Sequence, residues 1–190
     1  MPHYVEIIEN LSRMLKPVSA VQNADATVAL LLRPVNQDFK ILLVKRTENP
    51  FDPWSGQMAF PGGKRNPKDR NIRHTVVRET LEETNINIIR RGRFLGVLEN
   101  MRSTVRPKLS VAPFTFLLEH EPTIILNEEL EGYSWIFLKK LRECNGIAKL
   151  PFGEVPAYIV EGNVIWGLTY RILENFIQIF WRATRNRSSL

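Results

Sequence analysis

The chain has 190 residues, a length that fits one domain and allows a buried core without stabilising cross-links. Its content of 44% apolar and 24% charged residues excludes a largely disordered or collagen-like chain. The single cysteine, Cys144, excludes an internal disulfide framework. A net charge of +6 favours an anionic partner, such as a phosphate-bearing metabolite, a nucleic acid or a membrane surface.

The two ends of the chain carry no targeting pattern. The first ten residues, MPHYVEIIEN, lack the basic start and apolar core of a secretory signal. The chain ends in Arg187-Ser188-Ser189-Leu190, which lacks the basic middle residue of a peroxisomal Ser-Lys-Leu signal. The longest apolar runs are far too short to span a bilayer. We therefore expect a cytoplasmic protein with no membrane partner.

The first half of the chain predicts a helix and then a β-hairpin. Apolar residues at helical spacing predict a helix over residues 4–15 that ends near Lys16-Pro17. Apolar runs at 27–35 and 39–46, separated by three polar residues, predict a hairpin with a short loop. Residues 48–70 are rich in proline and glycine and predict a long loop with one short strand at 58–60. A long ordered loop in a compact domain is usually functional.

The second half of the chain mixes strands and helices. The pattern predicts a helix over 71–85 and strands at 94–98, 109–119 and 133–138. It also predicts a hairpin over 158–166, which turns at 161–163, and an amphipathic helix over 168–181. This succession indicates one layered domain of the α/β or α+β class.

The helix predicted over 71–85 carries a stripe of glutamates. At about 100° per residue, Glu79, Glu82 and Glu83 fall within an arc of about 100°, next to the apolar position Val76. A solvated helix face normally places its charges away from the apolar side. Glutamates spaced i, i+3 and i+4 repel one another unless a cation lies between them, and carboxylate oxygens suit Mg²⁺ or Mn²⁺. The stripe therefore predicts a divalent-metal site.

An ordinary salt-bridged helix explains the same residues. Arg78 and Glu82 are four residues apart, and Arg73 is a second cation on the helix. Helix geometry alone leaves both interpretations open. Before the helix, Pro61-Gly62-Gly63 predicts a turn in which the glycines take positive φ and bring the backbone close to a ligand.

Residues 60–86 resemble the Nudix box, and we call them the box segment. The box is written Gly-x5-Glu-x7-Arg-Glu-U-x-Glu-Glu-x-Gly-U, in which U is a bulky aliphatic residue. Its positions are occupied here by Gly63, Asp69 and the core Arg78-Glu79-x-x-Glu82-Glu83. The resemblance implies the Nudix α/β/α sandwich, with a mixed central sheet and the box as a loop-helix-loop. It also implies divalent-metal-dependent hydrolysis of a diphosphate linkage.

The resemblance assigns roles to the residues of the box segment. Glu79, Glu82 and Glu83 would hold one or more Mg²⁺ or Mn²⁺ ions, and Arg78 would orient a glutamate through a charge-assisted hydrogen bond. These four are the predicted catalytic residues. The residues expected to bind substrate are Arg46, Gly62, Gly63 and Lys64, with Lys45 and Arg65 as further cations beside the loop.

The general base is less narrowly defined. A box glutamate is one candidate, and the carboxylates of Glu99, Glu128 and Glu129 from other loops are the alternatives. His74 falls on the helix away from the glutamates, so we do not expect it to act in catalysis.

The chain departs from the box pattern at several positions. Asp69 replaces a glutamate, and eight residues instead of seven separate it from Arg78. Thr80 occupies an aliphatic position, and Asn85 replaces the second glycine. Asparagine tolerates the left-handed conformation, so we expect the turn that ends the helix to be retained. These departures leave the role of Asp69 open.

Outside the box segment, the chain resembles the coenzyme A pyrophosphatase branch of the family. Val44 and Asp52 depart from that branch, which has threonine and arginine there. The resemblance covers about residues 27–180 and implies coenzyme A or acyl-coenzyme A as substrate, giving 3′,5′-ADP and 4′-phosphopantetheine. Phe51 and Trp54 would stack on a base, cover the pantetheine arm or simply pack. The matching segments are 42–43, Arg46, 55–63 and 166–169.

Other functions stay open at this stage. ADP-ribose, dinucleoside polyphosphates and damaged nucleoside triphosphates are alternative substrates of the family. Basic residues at 90–93 and 182–187 suggest RNA end processing or nucleic-acid binding, but they are not interleaved with aromatic residues as in a stacking platform. A non-enzymatic binding module is less consistent with the intact glutamates. We therefore expect a single Nudix hydrolase domain over residues 1–190, with a core over about 25–182, an N-terminal helix over about 4–16 and an undetermined oligomeric state.

Overall fold

The computed structural model describes residues 4–49, 51, 54–104 and 106–185. Helix α1 (Tyr4–Met14) is followed by a hairpin of strands β1 (Ala26–Val35) and β2 (Asp38–Arg46). Asn36 takes a φ of 56° in the hairpin turn, a conformation that asparagine tolerates. The predicted N-terminal helix and hairpin are confirmed. A short 3-10 turn at Val18–Val21 is not evident from the sequence pattern.

The loop predicted over residues 48–70 contains two strands instead of one. Strand β3 (Met58–Ala59) pairs with β2, and β4 (Gly62–Lys64) pairs with β1. Helix α2 (Ile72–Thr84) follows, and the Asn71 side chain caps it by accepting a hydrogen bond from the His74 N–H at 2.9 Å. Asn85 ends the helix with a φ of 59°, so the expected left-handed turn is confirmed.

The rest of the chain confirms the predicted elements to within a few residues and adds short ones. The C-terminal hairpin and helix are both present, but the first strand of the hairpin begins earlier than predicted because it also pairs with a preceding strand. Elements of four to six residues are too short for a periodic pattern, so three of them were not predicted. The elements are α3 (Ile88–Arg91), β5 (Gly92–Val97), β6 (Met101–Arg102), β7 (Ser110–Leu118), β8 (Leu130–Phe137), α4 (Leu138–Glu143), β9 (Asn145–Leu150), β10 (Gly153–Val160), β11 (Asn163–Trp166) and α5 (Gly167–Arg185).

The central sheet is mixed. Its order is β3-β2-β1-β7-β5, with β1 and β7 parallel and the other neighbours antiparallel. In addition, β8 pairs with β2, β6 with β7, and β4 with β1. Residues 26–28 of β1 pair with both β4 and β7, so β4 must share the other edge of β1 with β2. The sheet therefore splits at the point along β1 where its partner changes from β2, at residues 32–35, to β4, at residues 26–28.

Helices cover both faces of this sheet. Alternate residues of a strand point to opposite faces, so Leu30 and Leu32 pack with α1 and α5, while Ala29 and Leu31 pack with α2. The expected α/β/α sandwich is confirmed. A second antiparallel sheet, in the order β11-β10-β9, lies against α5. Over the described ranges, no helix is long and apolar enough to cross a membrane.

Candidate active site

A cavity of about 410 Å³ opens where the central sheet splits. Two glutamates of α2, Glu79 and Glu83, line it together with residues 26–28 of β1. All four residues predicted to bind substrate also line this cavity: Arg46, Gly62, Gly63 and Lys64. The N-terminal turn of α5, with Leu168 and Thr169, borders it as well. The residues of β1 and α5 that line the cavity lie far from the box segment in sequence. The resemblance at 166–169 indicates the α5 residues, and no sequence signal indicates those of β1.

Glu83 is a buried carboxylate facing this cavity. Its residue is 4% exposed, and its Oε2 accepts a hydrogen bond from the backbone N–H of Gly62 at 2.7 Å. The pKa of Glu83 is raised to about 8, mainly by burial and also by the nearby charges of Glu79 and Glu129. The Gly62 N–H and the Arg46 charge act in the opposite direction. Without a bound cation, the carboxylate is therefore costly to ionise.

Glu79 lies beside Glu83 and is half-buried. Burial raises the pKa of Glu79, while hydrogen bonding to Arg78 lowers it. The carboxyl group packs against Gly63, where an added Cβ would lie 2.5 Å from the Glu79 carboxyl carbon. Any side chain at residue 63 would displace this glutamate, so the glycine is required by the site itself.

Gly62 is constrained by the sheet. Its φ is 149°, and an added Cβ would lie 2.2 Å from the Thr27 carbonyl oxygen. The positive φ that a glycine permits occurs at Gly62 but not at Gly63. Both glycines permit close approach of groups within the chain. The turn thereby brings the Gly62 N–H to Glu83.

Arg78 connects the acidic residues of the box segment. Its guanidinium donates to both carboxylate oxygens of Asp69 at 3.0 and 2.9 Å, to Glu79 at 2.8 Å and to Glu82 at 2.9 Å. A further hydrogen bond of 3.2 Å reaches the Lys64 carbonyl oxygen on β4. Arg78 therefore forms the predicted salt bridge with Glu82 and is also placed to orient Glu79. The two interpretations of the helix describe parts of one network.

Asp69 anchors this network from the loop before α2. It is 5% exposed and accepts hydrogen bonds from the Thr75 hydroxyl at 3.0 Å and the Asn66 N–H at 2.8 Å. The His74 ring nitrogen Nδ1 lies 3.0 Å from the other carboxylate oxygen. The paired guanidinium of Arg78 holds the pKa of Asp69 well below its usual range. His74 contacts Asp69 and does not line the cavity.

Glu82 differs from the other two glutamates of the stripe. Its side chain is 54% exposed, contacts Arg78 and does not line the cavity. Within the part of the chain that the structure describes, no group of three or more His, Cys, Asp or Glu side chains is arranged to hold a metal ion. The structure therefore brings Glu79 and Glu83 together at the cavity, whereas Glu82 lies outside the cavity lining. The metal-ligand role of all three stays a prediction.

The candidate bases outside the box segment lie in different places. Glu129 lines the cavity, and its charge affects the pKa values of Glu79 and Glu83. Glu128 is exposed and does not line the cavity. Glu99 forms an ion pair with Lys16 and also lies outside it. Among these three, the structure places only Glu129 at the cavity.

The other predicted contacts are divided between the cavity and its surroundings. Trp54 lines the cavity, with the Arg106 guanidinium carbon 4.8 Å from its ring centroid. Phe51 is 95% exposed. Lys45 pairs with Glu131 at 2.5 Å, and Arg65 lines a neighbouring polar cavity. Asp52 and Arg187 lie outside the described residues, so the structure does not test the departure at 52 or the last arginine of the basic tail.

Comparisons with known proteins agree with this fold. The model of the NUDIX domain matches residues 23–155. The chain is 34% identical to an uncharacterized protein of Schizosaccharomyces pombe over 57% of this chain, and it spans about a third of that relative, 35% of its length. It is 32% identical to the peroxisomal coenzyme A diphosphatase ndx-8 of Caenorhabditis elegans, over 71% of this chain and 59% of the relative.

Solved structures show the same fold. The crystal structure of the Nudix hydrolase RenU from M. smegmatis superposes with a TM-score of 0.58 at 13% identity, covering 88% of this chain and 89% of that one. Because the family match covers more than half of the sequence, the chain belongs to the Nudix hydrolase family, which acts on diphosphate-containing substrates. Hydrolases of this family generally use a divalent metal. Within the family, the chain is similar to coenzyme A diphosphatases at modest identity.

Proposed function

We propose that this protein is a divalent-metal-dependent hydrolase of a diphosphate linkage, with coenzyme A or an acyl-coenzyme A as its substrate. The observation that carries the hydrolase proposal is the pairing of buried Glu83 with half-buried Glu79 at a cavity that the predicted phosphate-binding residues also line. The similarity to the coenzyme A diphosphatase ndx-8 supports the substrate. The residues 55–63 and 166–169, which resemble that branch, lie at or beside the same cavity.

The donor groups at the cavity suit Mg²⁺ or Mn²⁺. Glu79 and Glu83 offer oxygen ligands, and burial together with repulsion from neighbouring carboxylates raises the pKa of each. A cation between them would relieve both effects, since hard divalent ions prefer carboxylate oxygens. Glu82, which is exposed and one turn away, would complete the set of protein ligands. When bound, such an ion neutralises phosphate charge and lowers the pKa of water.

The remaining residues position the substrate and the ligands. Arg78, fixed by Asp69, orients Glu79 and Glu82 through hydrogen bonds to both. The Gly62 N–H holds one oxygen of Glu83 and thereby sets the direction of the carboxylate. Arg46 and Lys64 line the cavity and would contact the phosphate oxygens. In this proposal, Arg46 and Lys64 serve the substrate, and Arg78 serves the protein framework.

The reaction adds one water across the anhydride. Water attacks one phosphorus atom, the bridging P–O bond breaks, and the bridging oxygen leaves with the other phosphate. With coenzyme A, the products are 3′,5′-ADP and 4′-phosphopantetheine. Glu129 is the carboxylate outside the box segment best placed to accept the proton, because it lines the cavity and is exposed.

The matched variants Glu129→Gln and Glu128→Gln test this assignment of the base. Only the first residue lines the cavity, although the two are neighbours in the chain. We expect kcat to fall about 100-fold or more in Glu129→Gln and to stay near wild type in Glu128→Gln. An equal effect of both changes, or no effect of either, would leave a box glutamate as the base.

A metal-dependent hydrolysis screen tests the function as a whole. Purified protein is incubated with coenzyme A, octanoyl-coenzyme A, ADP-ribose and a dinucleoside polyphosphate, with and without Mg²⁺ or Mn²⁺, and products are identified by mass spectrometry. We expect 3′,5′-ADP from coenzyme A at the highest kcat/KM. Faster cleavage of ADP-ribose would reject the substrate and retain the hydrolase, and no metal-dependent cleavage of any compound would reject both.

The setting of the reaction is part of the same proposal. We propose a single domain over residues 1–190 that acts on a small-molecule diphosphate in the cytoplasm, without a nucleic-acid partner. The basic residues 90–93 do not line the candidate active site, which is consistent with a small-molecule substrate. Fractionation of cells would test the compartment, since the Caenorhabditis elegans relative is named as peroxisomal.

A further inference from the structure

Two further cavities continue from the candidate active site along one side. The first, of about 460 Å³, shares Gln57 and Met58 with the active-site cavity. The second, of about 530 Å³, shares Phe152 and Trp166 with the first. The three cavities therefore form a row that leads from the buried glutamates to the small sheet of β9, β10 and β11.

An aromatic pair marks the boundary between the two outer cavities. The ring centroids of Phe152 and Trp166 lie 5.1 Å apart, with 47° between the ring planes. Phe152 is in the turn between β9 and β10, and its residue is 66% exposed. A large ring held at the surface beside a second ring can cover an apolar ligand and shield it from water.

The outermost cavity is apolar. Most of its lining is apolar or aromatic: Phe152, Trp166, Val155, Pro156 and Tyr170. Thr104 and Gly167 also line it, and Arg171 is the one charged residue among the described residues there. The Arg171 guanidinium donates to the Arg102 carbonyl oxygen, and this hydrogen bond fixes the position of the charge. An apolar pocket with one placed donor suits a chain that is mostly alkyl and carries an occasional carbonyl group.

Another side of the active site has a different character. There a cavity of about 630 Å³ shares Lys64 and Leu109 with the active-site cavity and is lined mostly by polar and charged residues, among them Arg65 and Asn66. A substrate that spans the glutamates would therefore place a polar end on this side and an apolar end on the other. A nucleotide joined through a diphosphate to a long acylated arm has this distribution, whereas ADP-ribose is polar at both ends.

We propose that the Phe152–Trp166 pair and the apolar cavity behind it form a subsite for the acyl end of an acyl-pantetheine arm. This inference rests on the proposed coenzyme A substrate and adds the residues that select among its acyl forms. The subsite predicts a preference for acyl chains long enough to pass the aromatic pair. The subsite is also continuous in sequence with the active site. Trp166 and Gly167 line the outer cavity, and the next residues, Leu168 and Thr169, line the active-site cavity.

The test compares Phe152→Ala with Ile159→Ala. Both replace an exposed apolar side chain on the same small sheet, but Ile159 lines none of the three cavities. Two quantities are measured: the ratio of kcat/KM for octanoyl-coenzyme A to that for acetyl-coenzyme A, and the Kd of octanoyl-pantetheine by calorimetry. Octanoyl-pantetheine lacks the diphosphate, so its binding reports the subsite independently of hydrolysis.

We expect the wild type and Ile159→Ala to favour octanoyl-coenzyme A about tenfold and Phe152→Ala to lose this preference. We also expect Phe152→Ala to weaken octanoyl-pantetheine binding about tenfold. A ratio near one in the wild type, or a ratio and a Kd that Phe152→Ala leaves unchanged, would overturn the subsite even if coenzyme A is cleaved. Binding that depends on Phe152, together with no cleavage of any coenzyme A, would retain the subsite and reject the proposed substrate.

Discussion

Two buried carboxylates of the box segment, Asp69 and Glu83, lie in opposite environments. Asp69 receives hydrogen bonds from Arg78, Thr75 and the loop backbone, and the Arg78 guanidinium lowers its pKa. Glu83 has one backbone hydrogen bond, from Gly62, and burial raises its pKa to about 8. A buried charge is stable only when it is paired. The protein therefore satisfies the first carboxylate but gives the second only one hydrogen bond.

This contrast separates a structural role from a functional one. Both residues occupy acidic positions of the box, so the motif alone does not distinguish them. A carboxylate whose hydrogen bonds are already made stabilises the fold, whereas a desolvated carboxylate at a cavity is a candidate for binding or catalysis. The two isosteric changes Glu83→Gln and Asp69→Asn should therefore have opposite consequences.

The largest effect is expected on activity from Glu83→Gln. The change keeps the shape of the side chain and removes the charge, so we expect kcat to fall about 100- to 1000-fold at saturating Mg²⁺. The variant should fold, and its thermal unfolding without metal should not be lower than that of the wild type. Glu82→Gln should also lose activity, and near-normal turnover in both variants would refute the site.

The effect of Asp69→Asn is expected on stability first. The amide accepts the Arg78 hydrogen bonds less well, and loss of a hydrogen-bonded charge here should cost about 2 to 3 kcal/mol of unfolding free energy. Denaturant unfolding would measure this value, with Glu143→Gln on the exposed face of α4 as the control. A stability equal to wild type would show that Asp69 does not anchor Arg78.

A bound metal should stabilise the wild type through Glu83. At 100 times its dissociation constant, Mg²⁺ or Mn²⁺ with a diphosphate ligand should add about 2.7 kcal/mol to the unfolding free energy. For a chain of this size, the melting temperature should rise by about 5 to 10 °C. The rise should be retained in Asp69→Asn and lost in Glu83→Gln. An equal rise in all three proteins would place the metal elsewhere.

Counted per pH unit, the smallest expected effect is the pH dependence of the metal-free protein. The pKa of Glu83 is raised from 4.5 to about 8 in the folded state, so between these pH values the folded chain binds the proton more tightly than the unfolded chain. Stability should therefore fall as the pH rises through this window, by at most about 1.4 kcal/mol per pH unit. Glu83→Gln should remove the slope.

Asp69 should act with the opposite sign and at lower pH. Its folded-state pKa is below the unfolded value of 3.8, so its contribution is present above that value and is lost as the pH falls below it. A wild-type profile without the slope between pH 5 and 8 would contradict the assigned environment of Glu83. Equal loss of stability in acid by Asp69→Asn and the wild type would contradict the assigned environment of Asp69.

Most of the fold follows from local sequence patterns. The hairpin of β1 and β2, the box helix α2 and the amphipathic α5 each have a period or a turn signal, and all three are present. The short helices α3 and α4 and strand β9 have too few residues for a period, so the pattern did not reveal them. Strand β4 was hidden because Gly62-Gly63 indicates a turn, while its strand geometry depends on pairing with β1.

The candidate site was predicted only in part, for a related reason. The positions of Glu79 and Glu83 follow from helix geometry, but their burial depends on strands remote in sequence. Glu99 and Glu129 were equivalent candidates in sequence, and the fold separates them by pairing Glu99 with Lys16 and bringing Glu129 to the cavity. The role of Asp69 required the path of the loop before α2, which no local pattern specifies.

The parallel pairing of β1 with β7 has a consequence for folding during synthesis, because the two strands leave the ribosome at different times. Ala26 of β1 pairs with Val111 of β7, so the whole box segment is synthesised before the edge of β1 opposite β2 and β4 gains its partner. Until then β1 has a free edge, which is a template for association between nascent chains. Such distant pairings also form slowly. Growing chains that stall between the box segment and β7 should therefore be the species that chaperones recognise.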